Sequence, residues 1–224
     1  MDTQRDAELL RPLMTQGRFE RLEKCLDRRT KWITVVLADL YHEHNMSAVV
    51  RSCEAFGIQE LHVIELSNPF RPNPGVALGA EQWITIKRYS KISICFDSLR
   101  RLGYKILCAD PPRHAKDFSY LLSEIPLADG PVALVFGRER DGLHPEARRL
   151  CDGRFYIPMV GLTESLNVSV TVGISLYQLR RFLEEQVEPE KWRLSQAERL
   201  ELLDLWALRS VRKGQQVLKR LRGG

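Results

Sequence analysis

The sequence has few cysteines and no long apolar segment. Its five cysteines are odd in number and scattered, and no two form a Cys-x-x-Cys pair, so neither a disulfide framework nor a zinc site is indicated. We expect all of these thiols to be free and buried. No apolar run approaches the roughly 18 residues that a membrane span needs, and residues 1–12 carry charges where a signal peptide would be apolar. These absences predict a cytoplasmic protein without a membrane segment.

The usual nucleotide-binding motifs are missing as well. Residues 137–144, GRERDGLH, hold two glycines at P-loop spacing, but no Lys and Ser or Thr follow to grip phosphates. No G-x-G-x-x-G follows the first strand-like segment, so a conventional dinucleotide site is unsupported. His42 and His44 lie two residues apart, yet nothing at ligand spacing completes a metal site with them. The sequence therefore predicts no bound metal, and a nucleotide-like ligand would need another kind of pocket.

Basic residues are concentrated at the two ends of the chain. The net charge is +5, and residues 209–222 contain six Lys or Arg and no acid. Residues 18–31 contain six more, mixed with acids. Because Lys and Arg that displace counterions supply most of the sequence-independent affinity for nucleic acid, we expect RNA contact at both ends. A solvated helix face is the alternative for each.

Apolar, β-branched runs alternate along the chain with segments of helical spacing. Strands are predicted over residues 32–40, 61–66, 83–89, 104–110, 131–137 and 154–160. Helices are predicted over residues 4–29, 45–56, 92–102, 145–150, 177–186 and 192–211, with Ser195 and Glu198 forming a capping box in the last. This alternation predicts an α/β domain over residues 31–186 with a mostly parallel sheet and helices on both faces. Helical extensions are expected over residues 1–30 and 187–224.

Two polar clusters follow strand-like segments, at the place where open α/β sheets bind ligands. Residues 44–57, HNMSAVVRSCEAFG, offer Asn45 as a helix N-cap and Arg51, whose planar fork of donors suits a phosphate. Residues 136–143, FGRERDGL, place Glu139 in a turn between glycines. Each cluster alone also fits an ordinary cap, surface arginine or turn.

A third cluster spans residues 157–169, IPMVGLTESLNVS. Its Ser165 and Asn167 offer a hydroxyl and an amide beside a loop with proline and glycine. The overlapping residues 165–176 alternate apolar with small polar side chains, which by periodicity alone predicts a strand.

Taken in this order, HN-x-SA-x-x-R, FG-x-E-x-x-G-L and IPM-x-G-x-x-x-SLNVS resemble the three motifs of the SPOUT superfamily, in its TrmH branch. The resemblance covers about residues 30–185. It implies an α/β SPOUT fold with a deep C-terminal trefoil knot, S-adenosylmethionine bound in the knot, and a homodimer with the knot region at its interface. In the family the SLN turn leads into a helix, so the resemblance implies a helix where alternation predicts a strand.

The resemblance also implies roles for individual residues. The cofactor contacts that it implies, largely through backbone groups, are Ala109, Gly137, Ile157, Met159 and Leu166. The catalytic positions that it implies are Asn45, Arg51, Glu139, Ser165 and Asn167. Methyl transfer needs the 2′-oxygen aligned with the sulfonium methyl, so alignment and charge placement should supply much of the rate. Arg51 is the family's candidate base, but a guanidinium normally stays protonated, so we expect it to contact the substrate phosphate and ribose.

The short extensions indicate which RNA is bound, because relatives that act on rRNA usually carry an added N-terminal domain. With the basic tail, the candidate RNA contacts are Arg28, Arg29, Arg180 and Arg181. The implied activity is S-adenosylmethionine-dependent methylation of the ribose 2′-hydroxyl of a guanosine in tRNA, at D-loop guanosine 18. Two alternatives stay open: methylation of rRNA or of another tRNA position, and RNA binding without catalysis.

Overall fold

The computed structural model describes residues 5–111 and 119–223. The chain forms two compact units, one over Lys31–Trp192 and the other from Met1–Thr30 together with Arg193–Gly224. In the described ranges, none of the helices combines the length and the apolar character needed to cross a bilayer.

The larger unit is built on one sheet. Its described strands are β1 (Ile33–Ala38), β2 (Glu60–Ile64), β3 (Thr85–Tyr89), β4 (Lys105–Ala109), β5 (Ser119–Leu121), β6 (Val132–Phe136) and β7 (Gly153–Tyr156). They lie in the order β3-β2-β1-β6-β4-β7-β5, and every pairing is parallel. The central β1 and β6 are buried along their whole length, which explains their continuous apolar sequences. The prediction of an α/β fold with a parallel sheet is confirmed.

Helices cover both faces of this sheet. The described helices of the chain are α1 (Asp6–Leu10), α2 (Gln16–Leu26), α3 (Glu43–Ala55), α4 (Pro74–Ala77), α5 (Ile92–Arg101), α6 (Pro145–Leu150), α7 (Val168–Gln186), α8 (Pro189–Trp192), α9 (Gln196–Ser210) and α10 (Gly214–Gly223). Successive side chains of a strand point to opposite faces, so Val35 joins the core formed with α3 and α7, and Val36 joins the core formed with α5 and α6.

The segment with alternating residues is a helix. The strand predicted from periodicity over residues 165–176 is wrong, and the helix implied by the resemblance is confirmed, because α7 begins at Val168. Asn167 caps it by accepting a hydrogen bond from the backbone N–H of Ser169 at 2.8 Å. The buried side chains of α7 include Val172, Leu176, Leu179 and Leu183, which are spaced for one helical face. Packing of that face therefore overrides the strand preference of β-branched residues.

The smaller unit differs from its prediction at the N-terminus. The single helix predicted over residues 4–29 is wrong, because the chain passes through a 3-10 turn containing Pro12 and starts a new helix capped by Thr15. The capping box is confirmed, since Ser195 N donates to Glu198 Oε2 at 2.9 Å and Glu198 N donates back to Ser195 Oγ at 3.3 Å. The small core of this unit is formed by Ala7, Leu10, Phe19 and Ala207.

The cysteines are free thiols, as expected. The expectation that all of them are buried is wrong for Cys25, which is exposed on α2, whereas Cys151 is partly buried.

Candidate active site

A cavity of about 590 Å³ opens at the carboxyl ends of β4, β6 and β7. Its wall includes residues 109–111, 136–143, 155–157 and 164–168. The wall holds all five residues for which cofactor contact is predicted: Ala109, Gly137, Ile157, Met159 and Leu166. Strand order thus brings together segments that lie far apart in the sequence. The contacts themselves stay a prediction.

A tight turn after β6 brings backbone to the cavity wall. Arg138 N donates to Gly142 O at 2.9 Å, and Gly142 N donates back to Arg138 O at 3.1 Å. A Cβ added at Gly137 would lie 2.3 Å from the Gly142 carbonyl oxygen, so only glycine fits at that position. Gly142 has a φ of 66°, in the left-handed region. The two glycines therefore close the turn that carries Glu139.

The Glu139 carboxylate is held by neutral donors from the first motif and from the residues just before it. Oε1 accepts from Asn45 Nδ2 at 2.9 Å and from His42 N at 3.2 Å, and Oε2 accepts from Tyr41 N at 3.3 Å. Burial raises the pKa of Glu139, but the Asn45 amide and the backbone N–H groups outweigh it, so the pKa lies below its ordinary value. Glu139 is therefore an ionised acceptor at neutral pH and is not suited to act as a general acid.

Asn45 is not the helix cap that its position suggests. The N-cap of α3 is His42, and Asn45 is the third residue of the helix, in its first turn, with 6% of its surface exposed. From there its amide donates to Glu139, and its Oδ1 accepts from Asn167 Nδ2 at 3.1 Å. Asn167 Oδ1 in turn accepts from Ser169 Oγ at 2.6 Å. One line of hydrogen bonds thus joins the three polar clusters.

Ser165 and Arg51 stand apart from this line. Ser165 is exposed on the cavity wall. Arg51 is exposed on α3, six residues beyond Asn45 and so about 9 Å farther along the helix axis. Its Nη1 donates to the Val76 carbonyl oxygen at 3.3 Å. Four of the five predicted catalytic residues therefore lie on the cavity wall or bond to it, and Arg51 lies on a neighbouring surface.

Sequence reasoning missed three groups at this edge of the sheet. Asp39 follows β1 and pairs with Arg138, and Asp110 follows β4 and pairs with Arg148 at 3.1 Å. An acid directly after an apolar strand was the available signal for both. The backbone N–H groups of residues 41 and 42 gave no signal, because any residue type supplies them. Among the described residues, no three His, Cys, Asp or Glu side chains gather as a metal site would require.

Two of the arginines predicted to contact RNA are buried. Arg29 is 2% exposed and lies over the ring of Trp206, with 5.0 Å between guanidinium and ring centroid. Arg180 is 7% exposed and lies 4.3 Å over the ring of Trp192. A guanidinium packed in this way stabilises the fold, so RNA contact by Arg29 and Arg180 is a prediction that we correct.

The other two predicted RNA contacts are exposed. Arg28 follows α2 in the smaller unit. Arg181 lies on α7 and forms an ion pair one turn away with Glu185. The basic residues of α10 are exposed too.

Comparisons with known proteins agree on one family. A family model described as the SpoU rRNA Methylase family matches residues 32–177. A tRNA (guanosine(18)-2′-O)-methyltransferase of Borreliella burgdorferi is 34% identical over 171 residues, 76% of this chain and 76% of that protein. The enzyme of the same name from Aquifex aeolicus is 31% identical over 202 residues, 90% of this chain and 93% of its own length. The solved structure of an A. aeolicus TrmH/SpoU tRNA modifying enzyme is similar with a TM-score of 0.77 and 30% identity, over 88% of this chain and 98% of that one.

Proposed function

The chain belongs to the SpoU methylase family, and we propose that it transfers a methyl group from S-adenosylmethionine to the ribose 2′-hydroxyl of guanosine 18 in tRNA. Its similarity to relatives named for that reaction extends over 76% and 90% of this chain. The observation that carries the proposal is the hydrogen-bonded line from Glu139 through Asn45 to Asn167, which joins three separate motifs beside one cavity.

The cavity suits S-adenosylmethionine in size and in lining. Its volume of about 590 Å³ falls within the range of roughly 300–1,000 Å³ that small-molecule sites occupy. Its wall carries both acids, such as Glu139 and Glu164, and arginines, such as Arg140, which suits a ligand with charges of both signs. Met159 and Leu166 offer exposed apolar surface on the same wall. When bound, the cofactor supplies a methyl group on a positively charged sulfur.

The chain's own residues then have separable roles. Backbone at Ala109 and Gly137 holds the cofactor, while the line from Glu139 to Asn167 fixes the relative positions of the motif loops. Arg51 binds a substrate phosphate and the ribose, and its charge stabilises negative charge that develops on the 2′-oxygen. Ser165, exposed on the wall, meets the ligand directly.

The knot and the homodimer belong to the same proposal. Three large apolar side chains are exposed on one side of α7: Val170 at 47%, Ile174 at 39% and Tyr177 at 52%. Val160 and Leu162 in the preceding loop are fully exposed. A contiguous apolar face of this kind favours a protein partner, and we infer that a second copy of the chain covers it. Sedimentation equilibrium should give a dimer mass, and Ile174→Glu should shift it toward the monomer; a monomeric unmodified protein would contradict the inference.

RNA contact is proposed for Arg28, Arg181 and the basic helix α10. Deleting residues 209–224 should weaken tRNA binding and flatten its dependence on salt, because fewer counterions are released. The dissociation constant for tRNA, measured between about 50 and 200 mM salt, tests this. It should rise less steeply with salt for the truncated protein than for the full chain. If the truncation leaves the salt dependence of tRNA binding unaltered, these basic residues only face solvent and do not contact RNA. The cytoplasmic location expected from the sequence stays a prediction.

The reaction is tested by tritium transfer from labelled S-adenosylmethionine to three transcripts. These are a tRNA, the same tRNA with 2′-deoxyguanosine at position 18, and an rRNA fragment. We expect label only in the first. Equal labelling of the first two would contradict ribose methylation at that position. Label in rRNA alone would favour the second candidate function, methylation of rRNA, which the description of the family model suggests.

Arg51 is tested separately with Arg51→Ala. Turnover should fall by about a thousandfold, the scale of a lost transition-state contact, while cofactor affinity stays within about twofold. Unchanged turnover would remove Arg51 from the site.

A further inference from the structure

Asp39 is a buried carboxylate in unfavourable backbone geometry at the end of β1. It is 2% exposed, and its φ of 61° lies in the left-handed region that residues with a Cβ rarely adopt, although Asp and Asn enter it more readily than the others. Such geometry persists only where the surrounding structure holds it, and it concentrates at functional sites. The bonds to Asp39 show what holds it here.

The Asp39 carboxylate has donors on both oxygens. Its Oδ1 accepts from the backbone N–H groups of Leu66, Ser67 and Asn68 at 3.0, 2.8 and 2.8 Å. Its Oδ2 accepts from Arg138 Nε at 3.0 Å and also from Arg138 Nη2. Burial raises the pKa of Asp39, but these bonds outweigh it and leave the pKa below its ordinary value. Asp39 is therefore charged and forms a two-point ion pair with Arg138.

This ion pair lies beside the bonds that hold Glu139. Arg138 immediately precedes Glu139 in the turn closed at Gly142. The backbone N–H groups that donate to the Glu139 carboxylate belong to Tyr41 and His42, two and three residues after Asp39. Residues 39–42 and residues 138–139 are thus joined twice, first by the ion pair and then by the two N–H donors.

From this arrangement, and resting on the proposed function, we propose that Asp39 and Arg138 are positioning residues for methyl transfer that act through Glu139. The ion pair fixes the separation of the two segments, so that Glu139 meets its donors and keeps Asn45 in line with Asn167. Arg138 is engaged on its other side by Asp141, with Nη1 and Oδ2 3.6 Å apart. Its charge is therefore neutralised within the protein, and the bond geometry rather than the charge is what it contributes to the site.

The first test compares Asp39→Asn with a matched control. Asparagine keeps an oxygen for the backbone donors and loses the charge that pairs with Arg138. The control is Asp152→Asn, because Asp152 likewise bonds an arginine, Arg100 at 2.9 Å, and a backbone N–H, Ile106 at 2.8 Å, away from the site. We expect Asp39→Asn to lower kcat about tenfold or more with KM for tRNA and cofactor affinity within about twofold, and the control to stay near the unmodified enzyme.

The second test asks whether the effect passes through Glu139. In single-turnover assays, Asp39→Asn introduced into a Glu139→Gln enzyme should lower the rate by less than about twofold further. A full multiplicative loss would show that Asp39 acts independently of Glu139 and would overturn the proposal. Arg138→Lys, which keeps the charge but loses the two-point geometry, provides the same comparison if Asp39→Asn does not fold.

The two proposals fail in different ways. If the unmodified enzyme does not methylate tRNA, the proposed function is wrong. If the unmodified enzyme methylates tRNA and either Asp39→Asn or Arg138→Lys has the same kcat as that enzyme, the positioning role is wrong while the function stands.

Discussion

Glu60 and Glu139 are two carboxylates with lowered pKa values, one at the amino ends and one at the carboxyl ends of the strands of one parallel sheet. Glu60 begins β2, and Glu139 follows β6. Burial raises the pKa of Glu60, but His62, Lys87 and Lys31 outweigh it and bring the pKa to about 2. Glu139 reaches its lowered pKa through an amide and backbone N–H groups. The first charge is neutralised by cations, and the second is held by dipoles that leave its net charge in place.

The difference indicates separate roles for the two carboxylates, with Glu60 acting in stability and Glu139 at the site. Glu60 Oε2 lies 2.7 Å from Lys87 Nζ, and Oε1 lies 3.3 Å from Lys31 Nζ, so its charge forms ion pairs within the fold. Glu139 lies on the wall of a cavity and keeps a negative charge there. A carboxylate compensated by cations stabilises the folded protein, whereas one fixed by dipoles in a cavity is preorganised for a ligand. Three predictions test this comparison.

The largest effect is expected from Glu139→Gln. The amide cannot accept from Asn45 and from two backbone N–H groups as the carboxylate does, so methyl transfer should fall about a hundredfold or more. The free energy of unfolding should fall by about 1 kcal/mol, because the half-buried side chain loses hydrogen bonds to neutral donors only. Single-turnover assays and urea denaturation measure the two quantities. A variant with normal turnover would place Glu139 with Glu60 as a structural residue.

Glu60→Gln should give the opposite result. Removing the shared partner of Lys87 and Lys31 should lower the free energy of unfolding by about 2–3 kcal/mol, somewhat less than the roughly 3–5 kcal/mol of a fully buried pair, since both lysines are about one-third exposed. Turnover should stay within about twofold. Glu185→Gln, which breaks the exposed ion pair with Arg181, serves as control and should change stability less. Loss of turnover with unchanged stability would reverse the comparison.

The smallest and most specific effect is in the pH dependence of stability. The folded pKa of Glu60 is depressed from 4.5 to about 2, so its contribution is complete above pH 4.5 and is lost as the pH falls toward 2. The stability difference between the unmodified protein and Glu60→Gln should therefore be constant from pH 7 to about 5 and narrow below that. Urea denaturation of both proteins across this range measures it. A difference that narrows above pH 5 would assign the effect to another group.

The sequence by itself determined the class of fold and the location of the site. Apolar β-branched runs alternating with helical spacing can be buried only as a parallel sheet between helices, and polar clusters after those runs must meet at the carboxyl edge. The capping box at Ser195 and Glu198 was equally local, because it needs only residues three positions apart.

Only the tertiary structure decided which groups meet. Asn45 bonds Glu139 across 94 residues and Asn167 across 122, distances over which local pattern carries no information. Arg180 is a second example, because its packing on Trp192 is a tertiary contact that a count of basic residues could not predict. Helix α7 shows the physical reason: its β-branched residues favour a strand locally, and the burial of one helical face against the sheet outweighs that preference.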